Sequence, residues 1–75
     1  MKAIETRYLG PTDHRGSRIV ASDSDGNRVT IGYKSELDSD QNHKAAAVAL
    51  CDKMGWKGDL AGGWVKRGMV WVFLD

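Results

Sequence analysis

Residues 69–74, Met-Val-Trp-Val-Phe-Leu, are apolar on both parities of an extended chain. A strand with one wet face alternates apolar and polar residues, whereas a doubly apolar run belongs inside a sheet. The whole chain has 75 residues, and a single core of that size rarely contributes more than about 3–5 kcal/mol. The segment is therefore an interior strand, and the remaining elements have to be arranged around it. The length allows one domain, residues 1–75.

Other segments supply the neighbours. Residues 2–9 alternate, with Ile4, Thr6 and Tyr8 on one side and Glu5 and Arg7 on the other, which predicts a strand ended by Gly10-Pro11. Strands are expected at about 17–22 and 28–33. Between them, a two-residue Asp25-Gly26 turn would oppose Ile19 to Gly32 and mix the faces. A three-residue loop Ser24-Asp25-Gly26, with Gly26 left-handed, opposes Ile19 to Ile31 and Ala21 to Val29 and collects the apolar residues on one side. The second register is chosen. The tail reads as another hairpin, with Lys66-Arg67-Gly68 as a three-residue loop. That register opposes Trp64 to Val70, Gly63 to Trp71 and Ala61 to Phe73, and gives the Trp71 indole room over Gly63.

A helix is predicted from Ser39 to Met54. Asp38 with Gln41, or Ser39 itself, caps its start, Lys53 suits its last turn and Gly55 stops it. Ala47, Leu50, Cys51 and Met54 form its inner stripe, flanked by His43 and Ala46, with Ala45, Val48 and Ala49 on the back. The expected fold is α+β, in the order β-β-β-α-β-β. One helix lies on one face of a five-stranded antiparallel sheet of order 3-2-1-5-4, which places the fifth strand in the middle.

One helix covers one face. Its small residues leave volume for large sheet residues, so Met69, Trp71 and Phe73 are pointed at it with Ile4, Tyr8, Ile19, Ile31 and Tyr33. The opposite face is expected to carry Glu5, Arg7, Arg18, Val20, Arg28 and Thr30, joined by Trp64, Val70, Val72 and, at the strand's end, Leu74. Reversing the tail would expose Met69, Trp71 and Phe73 instead. In both cases an apolar stripe lies beside three arginines, and such a patch on a small domain marks a contact site. The binding residues expected are Arg7, Arg18, Arg28 and Trp64, with Arg15 from the loop Gly10–Ser17. That loop offers two glycine amides to an anion, or else is a plain connection.

Catalytic and metal chemistry find little support. Asp23-Ser24-Asp25-Gly26-Asn27 resembles a calcium loop, but with Gly26 at position six the ligand positions one and twelve fall on Ala21 and Gly32. Cys51 lies on the helix stripe, far in sequence from Asp13 and His14, so nucleophile, base and orienter do not converge. One cysteine and two histidines are too few for a structural zinc site, and no cofactor is expected. No apolar run reaches the roughly 20 residues of a membrane span, and the N-terminus has no signal-peptide pattern. Eleven basic against ten acidic residues leave a net charge of +1, unlike a protein held to nucleic acid by bulk charge. Residues 1–35 carry six basic and four acidic side chains and residues 36–75 five and six, so the acid gathers at the helix entrance and the arginines on the sheet.

The run KAIETRYLGPT, then RGSRI, DGN, the NH…AA…ALC…KMGW helix and the closing GGWVKRGMVWVF, resembles a family of small proteins of bacteriophages and other bacterial mobile elements. The resemblance spans most of the chain and carries no active site with it. It implies a bacterial cytoplasm, in keeping with a lone reduced cysteine, and a product that acts on host machinery or mobile DNA. The expectation is a non-enzymatic binding protein that docks its arginine-bearing face onto a host protein, as anti-CRISPR or anti-restriction inhibitors do. The alternatives are a single-stranded nucleic-acid binder using the same face, with bases stacked on Trp64, and a homodimer that buries it.

Overall fold

The computed structural model describes residues 3–74; Lys2, assigned above to the first strand, lies outside them. The elements are β1 (Ala3–Leu9), β2 (Arg18–Ser22), β3 (Arg28–Gly32), α1 (Ser39–Met54), β4 (Asp59–Val65) and β5 (Gly68–Leu74). They form an antiparallel sheet of order β3-β2-β1-β5-β4 with one helix. The doubly apolar strand is β5, paired with β1 on one side and β4 on the other.

The β2–β3 hairpin has the register derived from its side chains, with Ile19 opposite Ile31 and Ala21 opposite Val29. Gly26 is left-handed at φ 92°. The Asp23 carboxylate ties the loop by accepting from the backbone N–H of Asp25 (3.0 Å) and Asn27 (2.9 Å) and from the Asn27 amide (2.9 Å).

The helix begins with a capping box. Asp38 accepts from the Gln41 N–H at 2.9 Å, and Gln41 Oε1 accepts from the Asp38 N–H at 3.1 Å. At its other end Gly55 is left-handed, with its N–H bonded to the Asp52 carbonyl and the Trp56 N–H to the Cys51 carbonyl, the pairing of a Schellman motif. The buried stripe is Asn42, His43, Ala46, Ala47, Leu50 and Cys51, so His43 lies in the interior and not at its margin. Asn42 had no signal in an apolar-periodicity reading. Its side chain accepts from the Lys34 N–H and donates to the carbonyls of Lys34, Leu37 and Asp38, clamping the β3–α1 connection to the first turn.

The helix packs over β2, with β1 and β3 on either side, and barely reaches β5. Ile4, Ile19, Ala21, Ala46, Ala47, Leu50, Cys51, Met69 and Trp71 make the core. Farther along the sheet the rings replace the helix as cover. The benzo edge of Trp71 lies across Gly62, where a Cβ would sit 2.5 Å from Trp71 Cε3. Trp56 stands edge-on to Phe73 at 6.3 Å, and Leu60 packs beside them. At the outer side of β3, Lys53 Nζ donates to the Arg28 carbonyl at 2.9 Å.

The tail hairpin corrects the expected register. Val65 pairs with Gly68, Trp64 with Met69, Gly62 with Trp71 and Leu60 with Phe73, so the turn is the two residues Lys66-Arg67. Gly68 has a positive φ of 158°, yet it belongs to the strand and not to the loop. It is pressed against β1, where an added Cβ would collide with the Thr6 carbonyl oxygen. The requirement for glycine at 68 is close strand packing, and the indole is accommodated by Gly62 in place of Gly63. A one-residue change of register turns every side chain of a strand to the other face, so Trp64 stands on the helix side.

Candidate binding face

The pairing registers divide the sheet's side chains without ambiguity. Ile4, Thr6, Tyr8, Ile19, Ala21, Met69, Trp71 and Phe73 fall on the helix side; Glu5, Arg7, Arg18, Val20, Arg28, Thr30, Val70 and Val72 fall on the open side. Arg7 shares a cross-strand row with Val20 and Thr30, while Arg18 and Arg28 lie one row to either side on β2 and β3. Arg7, Arg18 and Arg28 therefore do occupy one face, as their parity predicts.

The open face is concave. A groove of about 340 Å³ is lined by Glu5, Thr6, Arg7, Val20 and Ser22 on one side and by Val65–Met69 on the other. Residues of β2 and of the β4–β5 turn, separated by β1, thus border one hollow, as the coiling of a twisted sheet allows. Val20 forms part of the floor and is only 4% exposed although the helix lies on the opposite side. Three cations converge on the groove: Arg7 from β1, and Lys66 and Arg67 from the turn. The local sequence of Lys66 and Arg67 identifies them only as turn residues. Their approach to Arg7 follows from the Gly68–Thr6 contact, which no periodicity displays.

The other expected binding residues are distributed differently. Arg18 is turned toward the β1–β2 loop, its Nε donating to the Gly16 carbonyl at 3.3 Å. Arg28 is exposed at the far side of the sheet. Arg15 sits in the exposed loop, where its N–H donates to Thr12 Oγ1 at 3.1 Å and its carbonyl accepts from the Thr12 N–H at 2.7 Å. The loop is thereby tied within itself, and neither Arg15 nor Arg18 lines the groove. Trp64 is on the opposite face, its indole N–H donating to Asp40 Oδ1 on the helix at 3.1 Å.

Within the core, Thr6 Oγ1 lies 2.7 Å from His43 Nδ1 and accepts from Trp71 Nε1 at 3.1 Å. A hydroxyl against an imidazole is the arrangement of an activated nucleophile. Here, however, Thr6 is 2% exposed and His43 is buried beside it, so no substrate atom can reach the oxygen. The contact instead satisfies polar groups shared by strand, helix and indole. Burial lowers the pKa of His43, against smaller opposing effects of the Thr6 backbone and of Asp40. Burial also raises the pKa of the Cys51 thiol, with the Asp52 charge adding to it, and His14 is in an exposed loop. Among the described residues no group of three His, Cys, Asp or Glu could hold a metal ion, and no helix is long and apolar enough to cross a membrane. Comparison with protein-family models, with curated proteins and with solved structures finds no match to this chain.

Proposed function

We propose that this protein is a non-enzymatic binding module that docks the open face of its sheet onto an acidic surface of another protein. The observation that carries the reading is the groove in which Arg7, Lys66 and Arg67 surround a floor containing Val20. Apolar surface rimmed by guanidinium groups suits a protein contact, since arginine is among the residues that dominate binding energy at such interfaces. Val70 and Val72 continue the apolar stripe on the same side. The sequence resemblance to small phage and mobile-element proteins supports a bacterial host protein as the partner. A cytoplasmic nuclease or defence complex inhibited by occlusion is the form of the idea to test.

Single-stranded nucleic acid is disfavoured by one observation: Trp64, the ring on which bases were to stack, lies on the helix side and is bonded to Asp40. The cations of the open face thus lack the aromatic platform that sequence-tolerant strand binding uses. A net charge of +1 also gives little long-range attraction to phosphate.

The test compares the wild type with Arg7→Ala/Lys66→Ala/Arg67→Ala in capture from nuclease-treated bacterial lysate, followed by reconstitution with the captured protein. A partner that survives nuclease and is lost with the triple variant supports the proposal. Capture that disappears with nuclease would overturn it. So would tight binding to random single-stranded DNA with a log–log salt slope of about −0.7 per phosphate contacted. A dimer at micromolar concentration that dissociates in Val70→Lys would assign the face to a second copy of the chain.

A further inference from the structure

On the helix side, beyond the start of α1, a second hollow of about 340 Å³ is lined by Tyr8, Tyr33, Ser39, His43 and Trp64. Three of its five lining residues are Tyr or Trp, although the chain is only 8% Phe, Trp and Tyr, and His43 adds a fourth ring, so this is a concentration and not a sample of the surface. The rings form two corners. Tyr8 and Tyr33 stand at 84° with centroids 5.4 Å apart, and His43 and Trp64 at 68° with centroids 5.0 Å apart.

Three of the rings are held by their polar atoms. Tyr8 Oη is 2.8 Å from Ser17 Oγ, His43 Nδ1 is 2.7 Å from Thr6 Oγ1, and Trp64 Nε1 donates to Asp40 Oδ1 at 3.1 Å. A cavity whose walls are fixed before a ligand arrives loses less in ordering them. Core packing accounts for His43 and Tyr33 but not for Tyr8 and Trp64, which remain 46% and 54% exposed.

We infer that this aromatic notch is a binding site for an alkylammonium group, presented as a lysine side chain of a partner protein. Ring faces attract cations within about 6 Å of the centroid, and tryptophan and tyrosine do so best. Acid outnumbers base in the chain around the notch: Asp40 is bonded to the Trp64 ring and Glu36 and Asp38 lie just before it, against Lys34 and Lys44 beside Tyr33 and His43. The basic side chains that line the other groove belong to the opposite side of the sheet or to the turn. The source follows from shape. Free small ligands are usually enclosed over most of their surface, whereas a notch floored by buried His43 and flanked by the half-exposed rings of Tyr8 and Trp64 receives only the tip of a group. The inference rests on different residues from the groove, and either site can fail without the other.

The test is a titration of uniformly nitrogen-15-labelled protein, following the Trp64 indole resonance. The probes are acetyl-Gly-Lys-Gly-amide, the same peptide with norleucine in place of lysine, and free n-butylammonium. The expected result is a saturable Trp64 shift with the lysine peptide and none with norleucine. It should weaken roughly tenfold in Tyr33→Leu and in Asp40→Asn, while the resonances of the β2–β3 hairpin stay in place. Asp40 is an exposed helix residue, so the second variant keeps the test decisive if Tyr33→Leu disturbs packing. Equal shifts with lysine and norleucine would overturn the cation, and no saturable shift with either peptide would overturn the site. Free n-butylammonium binding as tightly as the lysine peptide would overturn the protein source.

Discussion

The two hairpins carry nearly the same turn chemistry and solve it differently. Ser24-Asp25-Gly26 is a three-residue loop with Gly26 left-handed, whereas Lys66-Arg67-Gly68 contributes only two residues to its turn and Gly68 joins the strand. What differs is the neighbourhood. A Cβ on Gly26 would meet nothing within 4 Å, while one on Gly68 would run into the Thr6 carbonyl of β1. Both hairpins pair with β1, but the turn glycine of the first stands clear of other backbone and local side chains set its register. Gly68 of the second abuts β1, and the approach of that backbone sets it. A glycine three positions into a turn therefore has two meanings, and only the packing around it distinguishes them.

The sharpest break of that comparison is Gly68→Ala. The collision is with backbone, which cannot turn aside as a side chain does, so we expect a loss of about 3 kcal/mol or more. That is enough to unfold much of so small a domain, and a urea titration reads it directly. Next comes Asn42→Ala, which removes the clamp on the exit of the first hairpin. It strands the Lys34 N–H and weakens the ties to three carbonyls. A cost of about 2–3 kcal/mol is expected, accompanied by faster amide exchange in residues 34–38. Gly26→Ala should cost only about 1–2 kcal/mol, the penalty for a left-handed L-residue in open space. A loss equal to that of Gly68→Ala would erase the distinction.

The smallest effect is a pH dependence. His43 is held neutral by burial, its folded pKa below the unfolded value of about 6.5. The unfolded chain therefore binds the proton more readily. Stability is full above that value and declines as pH falls from it toward the folded pKa. Thermal melts between pH 7.5 and 5 should show this decline, and in His43→Gln the part due to this residue should vanish.

Much of the fold was legible because its signals were local. Strand alternation in residues 3–9, the Asp38–Gln41 box, Gly55 and the side-chain sorting of the first hairpin each determine one feature within about ten residues. The face of β5 was legible too, because a helix lined with alanine needs large partners. What stayed hidden depends on contacts across the sheet. Trp64 moved to the helix side because of a backbone approach at Gly68, and Lys66 and Arg67 join Arg7 for the same reason. Asn42 and His43 were obscured by a rule that places polar residues outside, which fails where several hydrogen bonds converge on one buried side chain.

The contact of Lys53 with the Arg28 carbonyl bears on how copies of the sheet could join edge to edge. It lays a charged side chain over the border strand β3, one of the devices by which sheets discourage further pairing. The opposite border, β4, has β5 as its sole strand neighbour among the described residues and contains the side-chain-free pair Gly62-Gly63. With one border guarded and one open, head-to-tail growth, which needs β3 of one molecule against β4 of the next, is opposed at every step. The pairing left available is β4 against β4, a two-fold arrangement that uses up the open border of both molecules. Such an asymmetry lets a sheet accept one added strand without seeding a fibre.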